Sequence, residues 1–301
     1  MVIKDIDIFC VGETIVDLIG IEAKDSIKNT NKFERHLGGS PTNVALNCSK
    51  LKLKVALASS VGEDNLGNYI HEELIKNQID ISCVKLIDNM ATSIILVSKT
   101  TETPDFIPYR NADYYIYESQ IKEHTILRSK IFHTTCFALS RDPAQTTILK
   151  YAELAYKNGS KTSIDLNFSS KIWTNRDDAL KVIMKYCKYN PLIKISLDDM
   201  HRIFGSTMSE NEMFAFFHNQ NVDLICLTKG KEGVVISERN KKTYAFPSIK
   251  IPNIKDATGA GDAFWSGFLY GFIHEFTIEK SVQTGLLISA LKLQGKNINN
   301  Y

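Results

Sequence analysis

Short apolar runs of strand length alternate with helix-period segments along most of this chain. Ile6–Val11, Thr14–Gly20, Val55–Val61, Ser163–Leu166, Leu192–Ser196, Asp223–Leu227 and Gly233–Ser237 read as strands. Val44, Ala45, Cys48 and Leu51, and then Leu66, Ile70 and Leu74, recur at helical spacing between them. Strands separated by helices must be joined by crossovers. The pattern therefore predicts an α/β domain with a mostly parallel sheet covered on both faces. Ser40-Pro41 reads as a helix start, with Ser40 as N-cap and Pro41 in the first turn. One region breaks the rhythm. Ala91–Ser98 and Asp105–Tyr109 are strand-like, are joined by the polar turn at 100–105, and have no helix between them, which predicts a hairpin. Residues 28–37 are polar and irregular. Two insertions, at about 21–37 and 83–118, are expected to form a small β lid on a single domain spanning 1–301.

Composition excludes several classes of function. The 36 basic and 34 acidic residues leave a net charge of +2, so there is no basic excess to suit a nucleic-acid partner. The longest uninterrupted apolar stretch considered, Gly267–Ile273, is too short for a membrane span. Acids within the first apolar run do not fit a secretory leader, and cytoplasmic residence is expected. The six cysteines form no CxxC pair and sit mostly in apolar runs, so they read as buried, reduced thiols. No His, Cys or carboxylate cluster has zinc spacing.

The segment with the most chemistry is Asp256-Ala-Thr-Gly-Ala-Gly-Asp-Ala-Phe264, which runs into the apolar stretch Trp265–Ile273. A helix that is apolar nearly all round belongs in a protein interior. The amides of Gly259, Ala260 and Gly261 at its start can form an anion site, because helix N-termini present unpaired N–H groups and partial positive charge. Asp262, a carboxylate beside that site, is wasteful unless it accepts a proton from a nucleophile there. The string is neither a Walker A loop nor the dinucleotide fingerprint, whose last glycine would fall on Phe264. A second segment, Gly38-Gly39-Ser40-Pro41-Thr42-Asn43, places two glycines before a helix with Asn43 in its first turn, and Asn offers both donor and acceptor to sugar hydroxyls.

With these two segments, the one at Gly38 continuing through Ser60-Val-Gly-Glu-Asp64 and Gly67, the chain resembles the ribokinase-like carbohydrate kinases of the phosphofructokinase-B (PfkB) family. The resemblance implies a three-layer α/β/α sandwich with a mostly parallel central sheet and a small β lid. It also implies transfer of the γ-phosphoryl group of ATP to a sugar hydroxyl, with Mg2+ arriving on the nucleotide and K+ as an activator. Carried over residue by residue, it gives Asp262 as the base with the Gly259, Ala260 and Gly261 amides beside it. Asp17, Gly38, Gly39, Asn43 and Arg110 fall to the sugar. Thr228, Gly230, Gly233 and Ser196 fall to the nucleotide, Asp199 to magnesium through water, and Asp256 to a monovalent cation. In relatives the chain beyond the glycine matching Gly295 helps close the adenine and cation loops. Family members also suggest a homodimer formed through the lid.

The acceptor is less narrowly implied. Ser40 stands where ribokinases usually carry Lys, and Tyr109–Asp113 is similar to a lid-side segment of fructokinases, so fructose is the first expectation. A 2-keto-3-deoxygluconate kinase, a purine nucleoside kinase and a non-catalytic sensor on the same fold are alternatives. Asp165-Leu-Asn167-Phe-Ser169 resembles the family's Asp-Pro-Asn-x-Arg stretch, with Ser169 in place of Arg, which weighs against an anionic keto-acid. Retention of Asp262 weighs against a sensor, which needs no base.

Overall fold

The computed structural model describes residues 3–23, 26–99 and 105–298. Thirteen strands occur among them: β1 (Ile6–Val11), β2 (Ile15–Ala23), β3 (Phe33–Gly38), β4 (Val55–Gly62), β5 (Asp80–Ile87), β6 (Ile94–Lys99), β7 (Phe106–Tyr109), β8 (Ser129–Thr135), β9 (Lys161–Asp165), β10 (Leu192–Ser196), β11 (Leu224–Thr228), β12 (Val234–Glu238) and β13 (Tyr244–Phe246). The helices are α1 (Ser40–Lys50), α2 (Asn65–Lys76), α3 (Glu123–Leu127), α4 (Ala144–Lys157), α5 (Arg176–Cys187), α6 (Leu197–Phe204), α7 (Glu210–His218), α8 (Ala260–Ile273) and α9 (Ile278–Leu293).

Nine strands form one sheet in the order β13-β12-β11-β10-β9-β8-β1-β4-β5. Every pairing from β5 to β11 is parallel, and only the pairings of β12, with β11 and with β13, are antiparallel. Two apolar clusters of buried side chains line this sheet. One holds Phe9, Phe132, Ile164, Ile193 and Ile225; the other holds Ile8, Leu57, Ile131 and Cys226 together with Trp265 and Phe268 of α8. Adjacent residues of one strand thus enter opposite clusters, as period-2 side chains in a sheet covered on both faces must. All six cysteines are buried and unpaired. Among the described residues, no helix is long and apolar enough to cross a membrane.

The second sheet has four strands in the order β3-β2-β6-β7, with β6 and β7 antiparallel as a hairpin. Most of the connecting turn, residues 100–104, lies outside the described residues. This small sheet begins at Ile15, so Asp17 lies in it, whereas residues 83–87 of the expected lid segment run in β5 of the large sheet. Two further expectations are corrected. The polar stretch at 33–38 is a strand, legible as irregular only because β3 is a largely exposed edge without alternation. Helix α1 is not capped by Ser40. Gly39 holds the N-cap position with φ 98°, and Ser40 is the first helical residue. A side chain at Gly39 would place its Cβ 2.3 Å from the carbonyl oxygen of Glu13, so only glycine fits this approach.

Candidate active site

In a sheet of parallel strands, loops at the carboxyl ends converge on a crevice. Register brings the relevant residues into line there. Thr135 pairs with Asp165 across β8 and β9, Asp165 with Lys194 across β9 and β10, and Ser196 with Thr228 across β10 and β11. Helix α8 opens over this row. Gly259 caps it in a left-handed conformation, φ 73°, and Asp262 lies in its first turn. The Ala260 N–H turns back to the Ala257 carbonyl at 3.2 Å, and the Ala263 N–H bonds to the Gly259 carbonyl at 2.9 Å. The amides of Gly261 and Asp262 are then the first-turn donors left without an intrahelical partner.

Asp262 is 9% exposed and is held from α1 on both oxygens. The Ser40 hydroxyl donates to Oδ1 at 2.6 Å, and Asn43 Nδ2 donates to Oδ2 at 2.9 Å. Burial, reinforced by the Asp165 charge, pushes its carboxyl up to about 6, against the pull of Lys194, Ser40 and Asn43. Asp17 is half-buried. Burial of its carboxylate, then the charge of Asp262, raises it to about 7. Gly38 packs on that carboxylate so closely that a Cβ there would lie 2.2 Å from Asp17 Oδ2. Two mutually repelling carboxylates in one cleft are the environment in which a proton acceptor is tuned toward neutral pH.

Beneath the glycine loop lies a buried ion pair. Lys194 Nζ is 2.7 Å from Asp165 Oδ2, with side chains 7% and 1% exposed. A Cβ on Gly261 would sit 3.0 Å from that ammonium, so Lys194 reaches up to the first turn of α8. The other oxygen of Asp165, Oδ1, is buried with no partner. Asp199 is buried nearby and raised to about 6, chiefly by burial; its oxygens accept from Ser196 Oγ at 2.5 Å and Arg202 Nη1 at 3.1 Å.

The remaining expected residues divide. Thr228, Gly230 and Gly233 form one turn after β11, closed by the Lys229 N–H to the Gly233 carbonyl at 2.8 Å. Ser196 caps α6 beside it. Asp256 shapes the loop before α8, accepting the Thr258 N–H at 2.9 Å. Arg110 is not a free arm in the cleft. Its Nε and Nη2 donate to Asp113 Oδ2 at 2.9 and 2.6 Å, Nη1 donates to Ser140 Oγ at 2.6 Å, and its face lies on Phe137.

Three functional-looking residues were given no site role from the sequence. Ser40 passed for a helix cap. Glu13, 2% exposed and raised to about 8 by burial, accepts from the Ser40 N–H and the Thr135 hydroxyl, both at 3.0 Å. Lys194 went unassigned, although a lysine inside the apolar run Leu192–Ile195 is a signal in itself, since a buried ammonium requires a partner.

Residues 5–300 match the pfkB family carbohydrate kinase pattern, and the chain belongs to this family. It is a carbohydrate kinase, with a sugar and ATP as substrates, on the ribokinase-like α/β fold. It is 35% identical over 291 residues to an ATP-dependent 6-phosphofructokinase of Thermoanaerobacterium thermosaccharolyticum, covering 97% of this chain and 89% of that one. The structure of Halothermothrix orenii fructokinase superposes with a TM-score of 0.83 at 35% identity, over 93% of this chain and 98% of that one. A sugar kinase of Pyrococcus horikoshii in complex with ATP does so at 0.82 and 29% identity, over 95% and 92%.

Proposed function

We propose that this kinase phosphorylates fructose, with Asp262 as general base. A sugar hydroxyl donates its proton to Asp262 as its oxygen attacks the γ-phosphorus, and the bond from that phosphorus to the ADP oxygen breaks. The observation that carries the reading is the carboxylate of Asp262, buried, raised to about 6 and set in the first turn of α8 directly after the Gly259-Ala260-Gly261 amides. Of those amides Ala260 is already bonded to the Ala257 carbonyl, so stabilising the transferring group falls chiefly to the N–H groups of Gly261 and Asp262. Asp17, Gly38, Gly39 and Asn43 hold the sugar. Arg110 has three of its five N–H donors engaged, which leaves two for a sugar oxygen. Thr228, Gly230, Gly233 and Ser196 face the nucleotide.

Bound Mg2+ would neutralise charge on the phosphate oxygens. Among the described residues no group of three His, Cys, Asp or Glu could hold a metal alone, and both oxygens of Asp199 are already hydrogen-bonded. This donor set suits a hold through water by Asp199. Asp256 is assigned to a monovalent cation. The reading extends to cytoplasmic residence, no nucleic-acid or membrane partner, a single domain, and pairing of two copies through the lid sheet.

A second reading, a fructose 6-phosphate acceptor, is favoured by the 35% identity with the 6-phosphofructokinase over nearly the whole chain. ADP release measured with fructose, fructose 6-phosphate, 2-keto-3-deoxygluconate and adenosine separates them. Fructose should give the highest kcat/KM. Turnover confined to fructose 6-phosphate would establish the second reading, and turnover confined to either of the others would reject both.

A further inference from the structure

We infer that Ser40 is a positioning residue for Asp262, tying the base to the helix that carries the sugar-side glycines. The inference rests on the reading of Asp262 as base and deepens it. A serine at a helix start ordinarily turns its hydroxyl back to the amides of its own first turn. Here Gly39 occupies the cap and makes no side-chain bond, and the Ser40 hydroxyl crosses to Asp262 Oδ1 at 2.6 Å. One helical turn on, Asn43 takes the other oxygen at 2.9 Å, so two donors from the same face of α1 grip one carboxylate.

The grip has a fixed root. The Ser40 N–H donates to Glu13 Oε1 at 3.0 Å, and Glu13 Oε2 accepts from Thr135 at the end of β8. The Glu13 carbonyl also accepts from Thr42 Oγ1 at 3.1 Å. A residue anchored through both its backbone and its hydroxyl transmits the position of the sheet to the carboxylate. A hydroxyl donor to the ionised form also favours ionisation. It acts alongside the charged groups that face Asp262 from other elements: Asp17 of β2, Asp165 of β9 and Lys194 of β10, with Lys292 of α9 against Gly259. Each carboxylate oxygen keeps a lone pair for the acceptor hydroxyl, so the grip orients the base without blocking it.

The test compares Ser40→Ala, Ser40→Thr and Asp262→Asn in steady-state kinetics across pH. Ser40→Ala should lower kcat about tenfold with a smaller change in sugar KM, and should move the acid limb of kcat/KM upward by about half a pH unit or more. Ser40→Thr, which keeps the hydroxyl, should restore kcat to within about threefold of wild type. If Asp262→Asn is inactive while Ser40→Ala keeps the wild-type kcat and acid limb, the inference falls and the base assignment stands. A lowered kcat with an unmoved acid limb also overturns it, because a merely structural serine would give that result. If Asp262→Asn itself turns over within about threefold of wild type, the base reading fails first. Should Ser40→Ala not fold, Ser40→Cys, which keeps the volume with a weak donor, is judged by the same criteria.

Discussion

The two sides of the cleft are built differently. On the side proposed for the sugar, Asp262, Ser40, Asn43, Glu13 and Thr135 are joined by hydrogen bonds of 3.0 Å or less, and Asp17 lies against Gly38. On the side proposed for the nucleotide, Ser196 is tied to Asp199, but the Thr228 hydroxyl reaches only the Ile195 carbonyl, at 3.5 Å, and a side chain added at Gly230 would meet nothing within 4 Å. The difference teaches where precision is needed. A base must be held within a fraction of an ångström of one hydroxyl and cannot be arranged by solvent. Phosphates are bound by many weak donors, and an open turn with accessible N–H groups suffices.

The largest effect expected from breaking the wired side is on chemistry. Asp262→Asn is nearly isosteric and keeps an oxygen for the Ser40 hydroxyl. It should leave the fold and both ligands bound while lowering kcat by roughly 10²–10⁴-fold, the scale of a positioned base. Parallel titration calorimetry and turnover assays check this, and near-normal kcat in a folded variant would remove the mechanism.

The next effect falls on stability. Lys194→Met strands the Asp165 carboxylate, which already has one unpartnered buried oxygen. Loss of one partner of a buried pair costs about 3–5 kcal/mol. For a chain of this size that corresponds to a fall in Tm on the order of 10 °C. Adding Asp165→Leu should recover much of the loss, because the uncompensated charge goes with it. A thermal melt of Lys194→Met coincident with wild type would show that the pair is not the foundation of this side.

How far these two sides could be read from the chain differs as well. The string from Asp256 to Phe264 is contiguous, so its loop, helix start and carboxylate were legible at once, as were the parallel strands with clean apolar runs. What escaped depends on distant pairing. Ser40 meets Asp262 across 222 positions of sequence, and no local pattern distinguishes it from an ordinary cap. Strand β8, whose sequence mixes Ser, Lys, His and two Thr with apolar residues, was invisible because most of its buried polar groups find partners only in the fold, as Thr134 does in the Val11 carbonyl at 2.8 Å. Arg110 was placed correctly near the lid hairpin, but its engagement by Asp113 and Ser140 depends on a fold-back that spacing does not reveal.

Acidity should separate activity from stability on the wired side. Glu13, Asp17 and Asp262 are raised to about 8, 7 and 6, each chiefly by burial. Because these groups hold protons more tightly folded than unfolded, their contribution to stability is fully present below about pH 4 and is lost as pH rises through their folded values. Their contribution therefore favours the fold as pH drops from 8 to 5. Asp262, acting as the proposed base, must in contrast be ionised, so kcat/KM should fall about tenfold per unit below roughly pH 6. Opposite trends of Tm and kcat/KM over this range are expected. Parallel trends would mean that these carboxyls do not carry the raised values.

The smallest effect tests the open side. Thr228 ends β11 opposite Ser196, and its hydroxyl has only one long contact within the protein, so little of the fold depends on it. Thr228→Val keeps the shape and removes the hydroxyl. Loss of one hydrogen bond to a charged phosphate oxygen should raise the ATP KM about tenfold, since such bonds contribute roughly 1.5–3 kcal/mol. The sugar KM and the melting temperature should stay near wild type, because none of the bonds around Asp262 passes through this residue. Initial rates over a grid of both substrates give the two constants separately. A rise in the sugar KM with an unchanged ATP KM would mean that the turn after β11 serves the acceptor, and the division of the cleft into a wired sugar side and an open nucleotide side would have to be redrawn.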